Sequence, residues 1–221
     1  MSRSRGAKRP TPAPASSRVA AAWDLATPSR TLAVGVSIGL VALVAAIDQG
    51  VARHPFVALD DDVYLLGNPH VARGLTWEGV RWAFTHAWAA NWHPLTWVVH
   101  MLDVQWFGLS PASAGAHHLV SVAFHAANAV MLFLALARLT GRQSLSAWVA
   151  AWFAVHPLRI ESLAWASELK DVLSGCGFML ALLAYERYVR RPSAARMLVV
   201  LAAQIAGLLS KPMLVTLPLV L

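Results

Sequence analysis

Six blocks of apolar residues recur along this chain: Thr31 to Ile47, Leu119 to Ala137, Leu145 to Val155, Val172 to Tyr185, Met197 to Leu209 and Met213 to Leu221. A bilayer-spanning helix needs about 20 mostly apolar residues, and backbone inside hydrocarbon has to satisfy its own hydrogen bonds. The blocks predict an all-α, multi-pass transmembrane protein of about six spans. The first two stand firmly on length, whereas the third to fifth run 11 to 14 residues and also fit re-entrant or buried helices. With 57% hydrophobic and 13% charged residues, against about 45–50% and about 25% in soluble domains, the chain does not read as a soluble enzyme. Its single cysteine, Cys176, excludes an intrachain disulfide and any Cys-x-x-Cys site.

The formal charge of +7 raises the question of a nucleic-acid partner, and the placement of the charges answers it. With a cytoplasmic N-terminus and a crossing at each block, 12 of the 18 basic residues fall inside: Arg3, Arg5, Lys8, Arg9, Arg18, Arg30, Arg138, Arg142, Arg187, Arg190, Arg191 and Arg196. Nine of the 11 acids fall on the opposite side. This is the positive-inside pattern, so the basic balance reports topology and no nucleic acid is expected. Residues 1–30, rich in Arg, Pro, Ser and Ala, read as a disordered basic cytoplasmic tail without a convincing signal-peptide cleavage site. Residues 31–221 are then one membrane domain with a long outward loop over 48–118. The chain stops at Leu221, nine residues into an apolar block, and the expectation is an N-terminal fragment with any repeat array lying beyond it.

The outward loop holds six of the ten tryptophans, a residue enriched at membrane–water interfaces. Within it Pro94 opens a predicted helix with Leu95, Val98, Val99, Leu102 and Trp106 at helical spacing and Thr96, His100 and Asp103 on another face. The expectation is a helix lying in the interface, polar side toward the loop. A shorter amphipathic stretch with Trp77, Val80, Arg81 and Phe84 precedes it.

All nine histidines fall on the outward side or in the outer half of a span. Ionisable groups at membrane depth cost roughly 2.5 kcal/mol or more, so they are retained for a substrate, an ion or one another. The outer face is therefore the candidate working face. Asp60, Asp61 and Asp62 stand together soon after the first span. Such a run is by default a solvated turn; functionally, mutual repulsion favours one member as general base, or a carboxylate pair binds a divalent metal. A second group runs from His156, Arg159 and Glu161 to Glu168, Lys170 and Asp171. If residues 161–171 form one helix, Glu161, Trp165 and Glu168 share a face. Its bland reading is a surface helix whose acids pair with Lys170 and Arg159; its functional reading gives Arg159, Lys170 or Lys211 an anionic leaving group. A third group, His117, His118, His125 and Asn128, fits haem ligation less well than hydrogen-bonded helix packing, and no zinc-type histidine spacing occurs.

Taken in order, Asp60-Asp61-Asp62-Val63-Tyr64, Asn68-Pro69-His70-Val71, Asn91-Trp92-His93-Pro94-Leu95-Thr96-Trp97, His100-Met101-Leu102-Asp103, Phe107-Gly108-Leu109, His117-His118, His156-Pro157-Leu158-Arg159-Ile160-Glu161-Ser162, Lys170-Asp171-Val172-Leu173-Ser174 and Ser210-Lys211-Pro212-Met213 resemble the bacterial relatives of the transmembrane O-mannosyltransferases that act on cadherins. The likeness runs from about Phe56 to Leu221. It implies the C superfold of integral-membrane glycosyltransferases, a polyprenyl-phosphate sugar as donor, a protein hydroxyl as acceptor, and often tetratricopeptide repeats after the membrane domain. By the same resemblance, Asp60 is the candidate base and Asp61 its partner. Arg159, Lys170 and Lys211 are the candidates for the donor phosphate. Tyr64, Trp92, His93, His100, Asp103, His118, His156, Glu161 and Asp171 are the candidates for the sugar and acceptor pocket. Leu169 and Ser121 depart from the commoner Arg and Asn at those places. No obligatory metal or other cofactor is expected, a divalent metal being the alternative. The competing reading of the whole chain is an inactive membrane anchor for a repeat array; a transporter would carry its acids at mid-span instead.

Overall fold

The computed structural model describes residues 29–220; apart from Ser29 and Arg30, the tail expected over 1–30 lies outside them. The described residues are helical, with no strand among them. The helices are α1 (Arg30–Asp48), α2 (Pro69–Ala72), α3 (Trp77–Thr85), α4 (Pro94–Phe107), α5 (Ala114–Thr140), α6 (Gln143–Ala154), α7 (Ile160–Ala164), α8 (Leu169–Arg190) and α9 (Ala194–Ser210). Three stretches are long and apolar enough to cross a membrane: Arg30–Arg53, Pro111–Thr140 and Ala166–Arg190. The helix expected around Val172 to Tyr185 reaches spanning length because it continues into polar residues at both ends, Lys170 and Asp171 at one, Glu186 and Arg190 at the other. By contrast, α6 has 12 residues and α9 has 17. The block after Lys211 begins as a 3-10 helix over Pro212–Leu219.

Local chemistry sets the ends of the elements. Asn68 caps α2 by accepting from the backbone of His70 at 3.0 Å, and Thr76 caps α3 through Gly79 at 3.0 Å. Pro94, which has no N–H to leave unpaired, occupies the first turn of α4. Packing of α8 on α9 depends on two glycines: a Cβ on Gly177 would stand 2.5 Å from the Cα of Gly207, so only a bare backbone allows this approach. Leu40, Val44, Val122, Phe133, Ala150 and Val172 form the main apolar core between α1, α5, α6 and α8. Tyr64, Leu65, Trp82, Trp97 and Met101 form a second, aromatic core under the loop segment.

Two expectations need correction. The stretch 161–171 is not one helix: Trp165 is extended (φ −125°, ψ 112°), α7 ends before it, and a 3-10 turn over Ala166–Glu168 leads into α8. Glu161 is exposed in α7, whereas Glu168 lies beyond the break among lysines. Nor does α4 turn its polar side to the loop. Thr96, His100 and Asp103 are all buried, and the Thr96 hydroxyl donates to the Ser210 carbonyl at 2.9 Å. Gln105, Trp106 and Phe107, at its end, are the exposed residues of that helix. The small and polar residues let α4 pack on α9, which the hydropathy pattern alone does not reveal.

The bundle has two chemically distinct ends. At one, the Ser29 backbone and the Gln143 side chain exchange hydrogen bonds at 3.2 Å, and Arg190 donates to the Arg138 carbonyl at 3.1 Å. These contacts gather the start of α1, the α5–α6 turn and the end of α8, and with them Arg30, Arg138, Arg142, Arg187 and Arg190. At the other end the loop segment folds back on the break between α7 and α8, bringing the aspartates to the lysines.

Candidate functional site

Asp60 and Asp61 point to opposite fates. Asp61 is fully buried, and its carboxylate accepts the backbone N–H of Ser167 at 2.7 Å and of Val57 at 2.9 Å. It pins the loop that follows α1 onto the 3-10 turn that precedes α8. Asp60, its neighbour, is exposed. Next along the chain a π-helical turn, Asp62–Leu66, swings Tyr64 inward.

Tyr64 is where the acidic loop meets the lysines. Its hydroxyl accepts from Asn91 Nδ2 at 2.9 Å, its ring lies 5.5 Å from the His93 ring, and Lys170 Nζ sits 4.9 Å from its centroid. Burial, then the charges of Asp60 and Glu168, push the phenol up to about 12, so it remains a neutral hydroxyl.

Lys170 is buried and donates to Glu168 Oε1 at 2.6 Å and to the Ser167 carbonyl at 3.1 Å. Lys211 lies 3.7 Å from the other oxygen of Glu168 and pairs closely with Asp171. Asp171 also accepts from Ser162 Oγ at 3.3 Å. Both lysines line a cavity of about 400 Å³ together with Asn91, His93, Pro212, Met213, Val215 and Thr216. One side of this cavity is cationic and polar; the other is apolar.

His93 is 1% exposed, and its Nε2 has no hydrogen-bond partner among the described residues. Burial, then Lys170 and Lys211, lower its imidazole to about 4, so it is neutral near pH 7. It follows a tight turn, Trp88 to Asn91, in which Ala89 and Ala90 take φ of 50° and 59°. Left-handed backbone at a non-glycine residue is strained, and strain of this kind collects at functional sites. Trp88 Nε1 ties the turn to the Val63 carbonyl at 2.9 Å, so the turn holds Asn91 and His93 against Tyr64.

Other expected site residues lie elsewhere. Arg159 places its guanidinium 5.0 Å from the Phe153 ring centroid, on the α6 side. Trp92 is exposed and donates to the Phe84 carbonyl at 3.3 Å. His156 caps its own turn through Leu158 at 3.3 Å, and His118 bonds the Pro55 carbonyl at 3.3 Å. His100 and Asp103 are sealed inside α4: burial, then His117, His93 and Lys170, take His100 down to about 3, and burial takes Asp103 up to about 7. The His125 ring bonds the Ala154 carbonyl at 3.1 Å and Asn128 donates to the Val172 carbonyl at 2.8 Å, both contacts joining helices.

Asn91 is the site residue to which the sequence assigns no role, whereas Glu168 pairs with Lys170 as expected for a surface stretch whose acids are satisfied by its cations. Asn91 opens the Asn91–Trp97 motif, and its adjacency to Tyr64 depends on the turn. The break at Trp165 separates Glu168 from Glu161, with which a continuous helix would have aligned it. Among the described residues no group of three or more His, Cys, Asp or Glu side chains is placed to hold a metal ion. Neither a family model, a curated protein nor a solved structure matches this chain.

Proposed function

We propose that the chain is an integral-membrane glycosyltransferase that moves a sugar, mannose by resemblance, from a polyprenyl-phosphate donor to a Ser or Thr hydroxyl of a protein acceptor. One observation carries this reading: an apolar-sided cavity of about 400 Å³ bordered by Lys170 and Lys211, with Tyr64 joining that lysine pair to the acidic loop. A lipid phosphate needs both halves of such a site, an apolar wall for the first isoprene units and fixed cations for the phosphate.

The reaction is an inverting displacement. The acceptor oxygen attacks the anomeric carbon, the bond from that carbon to the phosphate oxygen breaks, and Asp60 takes the hydroxyl proton. Charge that grows on the departing phosphate falls to Lys170 and Lys211. Asp60 has the exposure this role needs. Asp61, with its oxygens committed to backbone N–H groups, positions the loop. His93 and Asn91 border the sugar, while Arg159 is left to a more distant part of the acceptor or lipid path. The lysine-bearing end faces outward across a bacterial inner membrane, the basic end inward, and the shorter blocks complete a count of about six spans.

The test is transfer from radiolabelled polyprenyl-phosphate mannose to endogenous acceptors in membranes carrying the intact protein, wild type beside Asp60→Asn at matched level. Transfer by wild type and its loss in the variant is the expected result. Equal transfer by both removes Asp60 as the base. Transfer by neither, with mannose or with other lipid-linked sugars, overturns the enzyme reading in favour of a membrane anchor.

A further inference from the structure

The lysine pair is already neutralised from within. Two cations, Lys170 and Lys211, face two carboxylates, Glu168 and Asp171. A phosphate that engages both lysines therefore competes with a carboxylate for them. Asp171 is the less movable of the two, since it sits on α8 and also accepts from Ser162 Oγ. Glu168 sits on the 3-10 turn after the break at Trp165, and its two oxygens divide between Lys170 at 2.6 Å and Lys211 at 3.7 Å. Its carboxylate thus occupies the bridging position that two oxygens of a phosphate would take.

We propose that Glu168 is a tethered counter-anion of the phosphate site: it yields the bridge between Lys170 and Lys211 to a lipid phosphate and, on returning, expels the spent carrier. The proposal rests on the glycosyltransferase reading and adds a release step to it. The donor is a phosphodiester with one negative charge; the product is a phosphomonoester that approaches two at neutral pH. Two fixed lysines alone would hold the product more tightly than the donor, and turnover would stall. A carboxylate tethered beside them competes at a high effective concentration without leaving the protein. His93 borders the same cavity, and its neutral ring adds no further charge beside the lysines.

The experiment measures binding of undecaprenyl monophosphate to the intact protein in nanodiscs, wild type beside Glu168→Gln. Removing the competitor is expected to tighten binding by about ten-fold or more, and to lower kcat while deepening inhibition by the monophosphate. A merely structural role for Glu168 would loosen binding instead. Glu168→Asp, which keeps the charge on a shorter arm, is expected to fall between the two and serves if the glutamine variant fails to fold. Equal or weaker binding by both variants, with wild type still binding and transferring, overturns the tethered counter-anion and leaves the glycosyltransferase reading in place. If wild type and variants all fail to bind the monophosphate, both fall together.

Discussion

Each end of the bundle holds a carboxylate between two cations, and the two arrangements differ in what surrounds them. At the basic end Glu186, 3% exposed, pairs with Arg190 one turn along α8 and with Arg138 of α5 at 3.9 Å, while Arg190 also donates to the Arg138 carbonyl. Forked guanidinium groups spread over several acceptors at once, and the result ties two spanning helices together. At the other end Glu168 lies between lysines, point charges on flexible stems, beside a cavity. The same charge motif thus locks one pole and leaves the other exchangeable.

Glu186→Ala removes the buried carboxylate shared by Arg138 and Arg190, while Arg190 keeps the Arg138 carbonyl and both arginines reach solvent in part, and is expected to cost about 2–3 kcal/mol. Glu168→Ala, whose lysines border a cavity and whose Lys170 keeps the Ser167 carbonyl, is expected to cost less than half as much. Denaturant unfolding of both variants in detergent decides it; equal losses would mean that the two poles are built alike.

Of similar size is the contrast between neighbouring aspartates. Asp61→Ala abandons two backbone N–H groups, those of Ser167 and Val57, and is expected to destabilise by about 3 kcal/mol. Asp60→Ala, at an exposed position, is expected to change stability by under about 0.5 kcal/mol while abolishing transfer. A stable Asp61 variant with normal transfer would refute the pinning role.

Acid titration separates the poles further, because the strongly displaced groups of the loop segment all lie at the lysine end. His93 and His100 titrate near 4 and 3 in the folded chain against 6.5 unfolded, so the unfolded chain binds more protons and stability rises with pH up to about 6.5. Asp103, raised from 3.8 to about 7, acts in the opposite sense, and its contribution falls as pH rises between those values. Thermal unfolding from pH 4 to 8 is expected to steepen in Asp103→Asn and to flatten in His100→Gln. An unchanged profile in both would remove these groups from the balance.

Much of this molecule is legible in the sequence where a signal is local. Apolar blocks mark α1, α5 and the middle of α8, Pro94 marks the start of α4, and the segregation of arginines from acids anticipates the two poles. The misses are all non-local. Periodicity places Thr96, His100 and Asp103 on one face of α4 but cannot say that this face is buried, with Thr96 against the end of α9. Nothing about Trp165 announces a break, since tryptophan is not a helix breaker, and so Glu168 could not be separated from Glu161. Likewise Asp60 and Asp61 are chemically identical in sequence; only the fold turns one inward onto Ser167.

The smallest effect concerns how each pole turns its chain. At the basic end the α5–α6 turn uses Gly141 at φ 70°, where a missing Cβ removes the strain. At the lysine end the turn that presents Asn91 and His93 uses Ala89 and Ala90 at φ 50° and 59°, a conformation that costs an L-residue about 1–2 kcal/mol. Glycine would relieve that strain but also gives the unfolded chain more freedom, so Ala89→Gly or Ala90→Gly is expected to stabilise by only about 0.5 kcal/mol. Gly141→Ala is expected to destabilise by about 1 kcal/mol. If alanine persists at the site because it stiffens the turn, the glycine variants will be more stable and yet transfer sugar more slowly, since Asn91 will hold the Tyr64 hydroxyl less firmly. Gains in both stability and transfer would show that the strain serves nothing.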